Sequence, residues 1–144
     1  LCNTFKRELL EGIHTFGTDT FKLALIKSGE SGTYDKTTTN YSDVTGNSDE
    51  IAATGSGGNP YSTGGHTLSS VTTTLSGDVA FVDFADITFT NATIDANGAI
   101  IYNASESNKA VAIISFGSTQ SSDNGSFTIT MPTNDSSNAI IRIT

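Results

Sequence analysis

Two unbroken apolar runs lie close together between residues 98 and 117. They span residues 99–102 and 110–114, and a polar segment, residues 103–109, separates them. A strand with one face in water alternates polar and apolar residues, whereas these runs do not, so both faces of each predicted strand must be covered. The stretch therefore predicts a β-hairpin at the centre of the fold, with a second sheet on one side and a helix or a partner chain on the other.

The remaining sequence favours a single all-β domain over residues 1–144. The chain is long enough for one core, and only 15% of its residues are charged, with Ser, Thr, Asn and Gly abundant. Short apolar segments punctuated by turn residues predict an antiparallel β-sandwich or jelly-roll-like fold of about eight strands. Two Asn-Gly pairs, Asn97-Gly98 and Asn124-Gly125, predict tight turns. The predicted strands are residues 20–28, 66–73, 79–85, 87–94, 99–102, 110–116, 126–131 and 139–143.

A short N-terminal helix is predicted over residues 3–16, with Asn3 or Thr4 as its cap and Gly17 as its stop. Its apolar residues recur at helical spacing and lie opposite a charged face. This stripe is expected to dock on the chain's own sheet or on a neighbouring subunit. The apolar residues are Phe5, Leu9, Leu10, Ile13 and Phe16, and the charged ones are Lys6, Arg7, Glu8 and Glu11.

A long Gly/Ser/Thr-rich loop, residues 29–65, carries three of the four tyrosines and is called the arm below. A connection of this length in a compact domain usually has a use. Tyrosines on a polar arm suit an interface, although they could equally pin the arm to its own domain. A short strand at residues 50–53 is possible. The candidate partner-contact residues of the helix and arm are Phe5, Leu9, Ile13, Tyr34, Tyr41, Val44, Ile51 and Tyr61.

Charge and cysteine content narrow the expected partners and location. The net charge of -8 and only seven Lys and Arg residues argue against a nucleic-acid surface. Cys2 is the only cysteine, so neither an internal disulfide nor a thiolate zinc site is expected. The sequence has no apolar run of membrane-spanning length, so no membrane association is expected, and the chain reads as a soluble product of a reducing cytoplasm.

Catalytic signatures are sparse, so no enzyme activity and no cofactor are expected. His14 and His66 are the only histidines, and neither a G-x-S-x-G elbow nor a P-loop is present. The best candidate for a metal-binding group is Asp78, Asp83 and Asp86, whose carboxylate oxygens could bind Ca²⁺ weakly. Their spacing matches no standard calcium loop, and a solvated strand face explains them as well.

Four stretches of the chain carry a family resemblance. They read FKRELLEGIHTFGTDTFKLALIKS, GGHTL, FVDFADITFTNATIDANGAIIYNASESNKAVAIISFG and FTITMPTNDSSNAIIRI. Together they resemble a family of small virion proteins of tailed bacteriophages. The resemblance covers most of the chain and is weakest over residues 29–60, where SGGNP separates Gly55 from Tyr61.

The resemblance implies a non-enzymatic structural component of a phage virion, made in the bacterial host cytoplasm and located on the capsid surface. The expected role is that of a cement or decoration protein, with the major capsid protein as partner and self-association as a dimer or trimer. A tail or baseplate component and a carbohydrate- or receptor-binding module remain alternatives. If the arm tyrosines contact the capsid, replacing Tyr34, Tyr41 and Tyr61 by Ala should weaken binding with little loss of stability.

Overall fold

The chain forms two antiparallel sheets and two short helices in the computed structural model, which describes residues 1–144. One sheet has the strand order β2-β1-β5-β6 and the other β3-β4-β7. The prediction of a mostly β chain with an N-terminal helix is confirmed. The elements are α1 (Asn3–Leu10), β1 (Phe21–Lys27), α2 (Ser42–Gly46), β2 (His66–Thr67), β3 (Thr72–Ser76), β4 (Val79–Asp83), β5 (Ile87–Asn103), β6 (Lys109–Ile129) and β7 (Ile141–Ile143).

The predicted central hairpin is present as the end of β5 and the beginning of β6. Asn103 pairs with Lys109, and the turn between them places Ser107 and Asn108 in the left-handed region. Residues 99–102 and 110–112 are buried, as expected for strands covered on both faces. Other parts of the same chain cover the two hairpin strands. The helix α1 lies against β6, and one core of 29 side chains includes residues of both sheets and of α1.

The predicted turn at Asn97-Gly98 is wrong, because both residues lie inside β5. The register shifts between Ala96 and Gly98, which marks a β-bulge rather than a chain reversal. The glycine is needed for close approach instead, since a Cβ on Gly98 would lie 2.5 Å from the carbonyl oxygen of Ile114 on β6. Asn97 uses its side chain to accept a hydrogen bond from Thr119 at 2.7 Å.

The predicted turn at Asn124-Gly125 is wrong for the same reason, because it lies inside β6. Asn124 takes a positive φ of 45°, and pairing moves from Ala92 with Gly125 to Ile94 with Ser122. Four predicted strands therefore merge into two long bulged ones. The predicted strand 66–73 divides into β2 and β3, with Ser70 at φ 53° between them, so the chain has seven strands rather than about eight.

The N-terminal helix is shorter than the predicted range 3–16 and ends at Leu10. Gly12, at φ 71°, closes it with a Schellman motif: its N–H donates to the Leu9 carbonyl, and the Ile13 N–H donates to the Glu8 carbonyl. Cys2 rather than Asn3 or Thr4 is the N-cap, and it makes no side-chain capping bond. The predicted faces also change, because Glu8 is buried and Leu10 is 91% exposed.

The arm is irregular over most of its length but is attached to the sheet at several points. It contains α2 and forms isolated bridges from Glu50 to Ile26 and from Asn40 to Lys109. The possible strand at residues 50–53 is reduced to the Glu50 bridge. Neither α1 nor α2 has the length and apolar character that crossing a bilayer requires.

Candidate functional site

The predicted partner-contact residues divide into two groups by burial. Phe5, Val44, Ile51 and Tyr61 lie in the hydrophobic core of the chain, each 9% exposed or less. Such side chains cannot form a docking surface in this conformation, so their assignment as partner contacts is corrected to a core role. The other four, Leu9, Ile13, Tyr34 and Tyr41, are half-buried.

Glu50 binds the second half of the arm to β1. Its carboxylate accepts hydrogen bonds from the hydroxyls of Tyr41 and Tyr61 and from the Gly64 N–H, the last two at 2.7 and 2.6 Å. The Tyr61 oxygen in turn accepts a bond from the Leu25 N–H at 2.9 Å. Burial is the largest cause that raises the pKa of Tyr61 and Tyr41 well above the ordinary range, and Glu50 adds to it through its charge and its hydrogen bonds.

Asp49 binds the first half of the arm to the same place. Its fully buried carboxylate accepts hydrogen bonds from the Tyr34 hydroxyl at 2.6 Å, from the Gly32 N–H at 2.8 Å and from Ser31. The Lys27 ammonium lies 3.3 Å away. Burial alone would raise the pKa of Asp49, but the bonds from Tyr34, Gly32 and Ser31 outweigh it and lower that pKa far below its usual value.

The three arm tyrosines therefore pin the arm to its own domain, the second of the two interpretations open from the sequence. Their hydroxyls are bound by Asp49 or Glu50, and Tyr41 stacks on Tyr102 at 4.4 Å between ring centroids. The expectation that Ala replacements would spare stability no longer follows. The two carboxylates were missed as anchors, although an acidic pair among tyrosines in a polar loop is a usable signal.

A second buried polar network fixes α1 and the segment after it to the central hairpin. His14 contacts Glu8 through Nε2 at 3.0 Å and accepts from the Asn103 amide through Nδ1 at 3.1 Å. Lys109 completes the cluster at 3.1 Å from Glu8. Burial would raise the pKa of Glu8, but hydrogen bonds from His14 and Lys109 lower it. This network explains why Glu8 faces inward.

The aspartates and histidines that the sequence offers for metal binding or catalysis do not come together in one site. Among all described residues, no three His, Cys, Asp or Glu side chains lie close enough together to hold a metal ion, and this includes Asp78, Asp83 and Asp86. Asp86 instead accepts a hydrogen bond from the Met131 N–H at 2.7 Å. His66 contacts the Pro60 carbonyl at 2.9 Å, whereas His14 belongs to the network under α1.

Two adjoining grooves are lined mostly by apolar side chains, and the surface that they form is called the apolar patch below. The first, about 390 Å³, lies between α1 and the three-stranded sheet, and the second, about 250 Å³, lies along α1 and β7. They share Leu9, Ile141 and Ile143. All four exposed large apolar side chains of the chain line one or both: Leu1 (36%), Leu10 (91%), Leu75 (72%) and Ile143 (54%).

The charged side chains that line the apolar patch are both cationic. They are Lys6 and Arg142, and both line the second groove. Neither forms an ion pair, whereas Lys27, Lys109 and Arg7 each lie beside a carboxylate. The Arg142 guanidinium donates a hydrogen bond to the Ser136 carbonyl at 3.3 Å, and its charge contributes to lowering the pKa of Asp135, after the hydrogen bonds from Asn138 and Ser137.

Of the eight predicted contact residues, Leu9 and Phe5 line the patch, and Phe5 is buried beneath it. Sequence reasoning missed both Leu75, which lies outside every predicted strand, and Ile143, which lies in the apolar predicted strand 139–143 and was interpreted as core. No protein-family model matches the chain, and neither the curated proteins nor the solved structures contain a match to it.

Proposed function

We propose that the chain is a non-enzymatic structural component of a phage virion, a cement or decoration protein that binds the outer capsid surface and stabilises the shell. The proposed partner is the major capsid protein, with self-association as a dimer or trimer on the shell. The resemblance of four stretches of the chain to small virion proteins supports this proposal. The two sheets on one core, which we interpret as a β-sandwich, would provide a stiff platform for it.

The apolar patch is the observation that carries the proposal. A monomeric protein rarely concentrates its exposed large apolar side chains in one place, and such a concentration marks an interaction surface. Here all four such side chains lie on the two adjoining grooves. The acidic surface elsewhere would keep the protein soluble and spaced at high copy number on a shell.

Stabilisation of the shell would follow from mass action. A protein that binds the assembled shell, but not its dissociated subunits, stabilises the assembly in proportion to the logarithm of its free concentration over Kd. At a hundredfold excess over Kd the effect is about 2.7 kcal/mol per site. Many sites act together on one shell, so modest affinity at each site would suffice.

The test is co-sedimentation of the purified protein with capsid shells of its phage that lack it. Saturable binding at a fixed ratio to the major capsid protein, together with a higher disassembly temperature of the shells, is expected. The ratio would identify the occupied symmetry positions. Absence of binding to shells, with binding to isolated tails, would replace the capsid assignment with the tail or baseplate alternative.

A further inference from the structure

Asn103 joins three parts of the chain at the end of the central hairpin. Its side chain is fully buried; its oxygen accepts a hydrogen bond from the Ser105 N–H at 3.0 Å, and its NH2 group donates to the Asp19 carboxylate at 2.7 Å. A backbone N–H can only donate, so the oxygen of Asn103 must face Ser105 and the NH2 group must face Asp19 and His14. The partners of the amide therefore fix its orientation.

The orientation of this amide determines which nitrogen of His14 carries a proton. The Asn103 NH2 group lies 3.1 Å from Nδ1, so Nδ1 accepts a hydrogen bond and carries no proton. Nε2 carries the single proton and donates it to the Glu8 carboxylate at 3.0 Å. A second proton on Nδ1 would point at the NH2 group, and two donors would face each other around a fully buried imidazole.

The charges around the imidazole nevertheless favour that second proton. They are Glu8 on α1, Asp19 in the segment between α1 and β1, and Lys109 on β6, whose ammonium lies 3.1 Å from Glu8. Phe5 and Asn103, which also contact the ring, are uncharged. Two carboxylates and one ammonium make the surroundings negative, and a negative environment favours an imidazolium. Charge and hydrogen-bond geometry therefore oppose each other in acid.

We propose that His14, Glu8 and Asn103 form a pH-sensitive latch, in which uptake of a second proton by His14 releases α1 and residues 11–19 from the central hairpin. The proton comes from solvent and binds Nδ1. The Asn103 amide must then turn away, which breaks its hydrogen bond to Asp19 as well as the one to His14. Both segments that the amide held to β5 lose their attachment in this single step.

Release of α1 changes the apolar patch. Leu9 on α1 and Phe16 after it line the first groove, where they face the three-stranded sheet. The groove therefore has its helical wall only while the latch is closed. The latch makes the shape of this surface depend on pH, whatever partner the surface binds.

The sign and size of the pH effect follow from proton linkage. A solvated histidine takes up its second proton near pH 6.5, whereas the closed latch has no place for it. The released form thus binds more protons, and release becomes about 25-fold more frequent between pH 7 and pH 5. Burial would raise the pKa of Glu8, but hydrogen bonds from His14 and Lys109 lower it, so Glu8 stays ionised over this range.

Cys2 provides the readout of release. It is the only cysteine, it is fully buried, and its N–H donates to the Val111 carbonyl of β6, so it becomes accessible when α1 leaves. The experiment measures the rate at which a dipyridyl disulfide, a reagent that reacts with thiols in mild acid, labels Cys2 in the folded protein. The rate is divided by that of the urea-unfolded chain at the same pH. We expect this ratio to rise about 25-fold from pH 7 to pH 5.

His14→Gln separates the latch from other effects of acid. The glutamine amide can accept from Asn103 and donate to Glu8, as the neutral imidazole does, but it takes up no proton in this range. The ratio should then be the same at pH 7 and pH 5. His66→Gln is the matched control, because it removes the other histidine, which contacts the Pro60 carbonyl away from α1, and it should respond like the wild type.

Amide hydrogen exchange distinguishes release of α1 from unfolding of the whole chain. At pH 5 the amides of α1 should lose protection in the wild type, while those of β5 and β6 keep theirs. An unchanged labelling ratio in the wild type, or a full rise that persists in His14→Gln, would overturn the inference. Equal loss of protection in α1 and in the central hairpin would overturn it as well, because the opening would then be global.

Discussion

Asp49 and Glu50 are neighbours in the chain, yet they bind opposite ends of the arm. Asp49 holds Ser31, Gly32 and Tyr34, and Glu50 holds Tyr41, Tyr61 and Gly64. The backbone around them is itself fixed to β1, because the Lys27 N–H donates to the Asp49 carbonyl and the Ile51 N–H donates to the Leu25 carbonyl. This dipeptide thus adds polar anchoring to the few core contacts of the arm, which come from Val44, Ile51 and Tyr61.

Replacing Asp49 by Asn should destabilise the protein by about 3 kcal/mol at neutral pH, because the amide keeps one acceptor oxygen but turns an NH2 donor toward the remaining donors and leaves Lys27 without an opposite charge. The measurement is the free energy of unfolding in urea. Asp123→Asn, an exposed residue without side-chain hydrogen bonds, is the matched control and should change stability by less than about 0.5 kcal/mol.

The acid dependence of stability gives a second readout of the same change. The pKa of Asp49 is lowered in the folded state, so its contribution is complete above the unfolded value of 3.8 and decreases as the pH falls toward the lowered value. The difference between the wild type and Asp49→Asn should therefore shrink below about pH 4. A difference that stays constant from pH 7 to pH 2 would show that charge at Asp49 is not responsible.

At the level of single elements, Gly98 should be intolerant of any side chain. In Gly98→Ala the new Cβ would meet the Ile114 carbonyl oxygen, so β5 and β6 would have to separate at the centre of the sheet. We expect a loss of about 2 kcal/mol or more in the free energy of unfolding.

Gly17→Ala is the control for this loss, because its Cβ would meet nothing within 4 Å and its φ is not in the left-handed region. It should be neutral or slightly stabilising. Equal stability of the two variants, measured by urea unfolding, would contradict the close approach of β5 and β6 at Gly98.

The sequence predicts strands well where both faces of the strand are buried. It predicts them poorly where the same dipeptide occurs both in turns and in β-bulges. The runs 99–102 and 110–114 are unambiguous because only covered strands tolerate them. Asn-Gly favours positive φ, which serves a tight turn and a β-bulge equally, and local sequence does not distinguish them. The choice depends on whether a partner strand continues past the dipeptide, and at Asn97 and Asn124 it does.

The candidate site was predictable only in part, for a similar reason. Leu9 follows from the helical stripe. Leu10 belongs to the same stripe but is exposed, because the network with His14 and Lys109 turns Glu8 inward in its place. Ile143 lies in the predicted strand 139–143, which suggests a core position, whereas Leu75 lies outside every predicted strand. Both side chains are exposed because the three-stranded sheet extends beyond the elements that cover it. Local sequence does not show how far a sheet is covered, because this depends on tertiary packing.

At the scale of the whole molecule, the arm and the apolar patch have separate roles. The arm, which the sequence suggests as a docking element, is held inside the fold by its own carboxylates, and the apolar patch lies around α1 and the three-stranded sheet. Binding at the patch would therefore leave the arm contacts intact. The tyrosines report on the integrity of the fold rather than on the partner.

All four tyrosines are held in the protonated form by the folded structure, and this gives a test of the whole molecule. Burial is the first cause in each case; it raises the pKa of Tyr34 and Tyr102 to about 12 and that of Tyr41 and Tyr61 further, with Asp49 or Glu50 adding to the effect. A raised folded pKa gives stability that is complete below the unfolded value of 10 and is lost as the pH rises above it.

We therefore expect absorbance at 295 nm to show almost no tyrosinate at pH 10.5 in the folded protein, and then a cooperative rise that coincides with loss of the β-sheet circular dichroism signal. The urea-unfolded chain is the control and should titrate near pH 10. If about three quarters of the tyrosines ionised at pH 10.5 while the sheet signal stayed unchanged, they would be solvated in the native state. In that case the arm would not be anchored by Asp49 and Glu50, and its tyrosines would again be available to a partner.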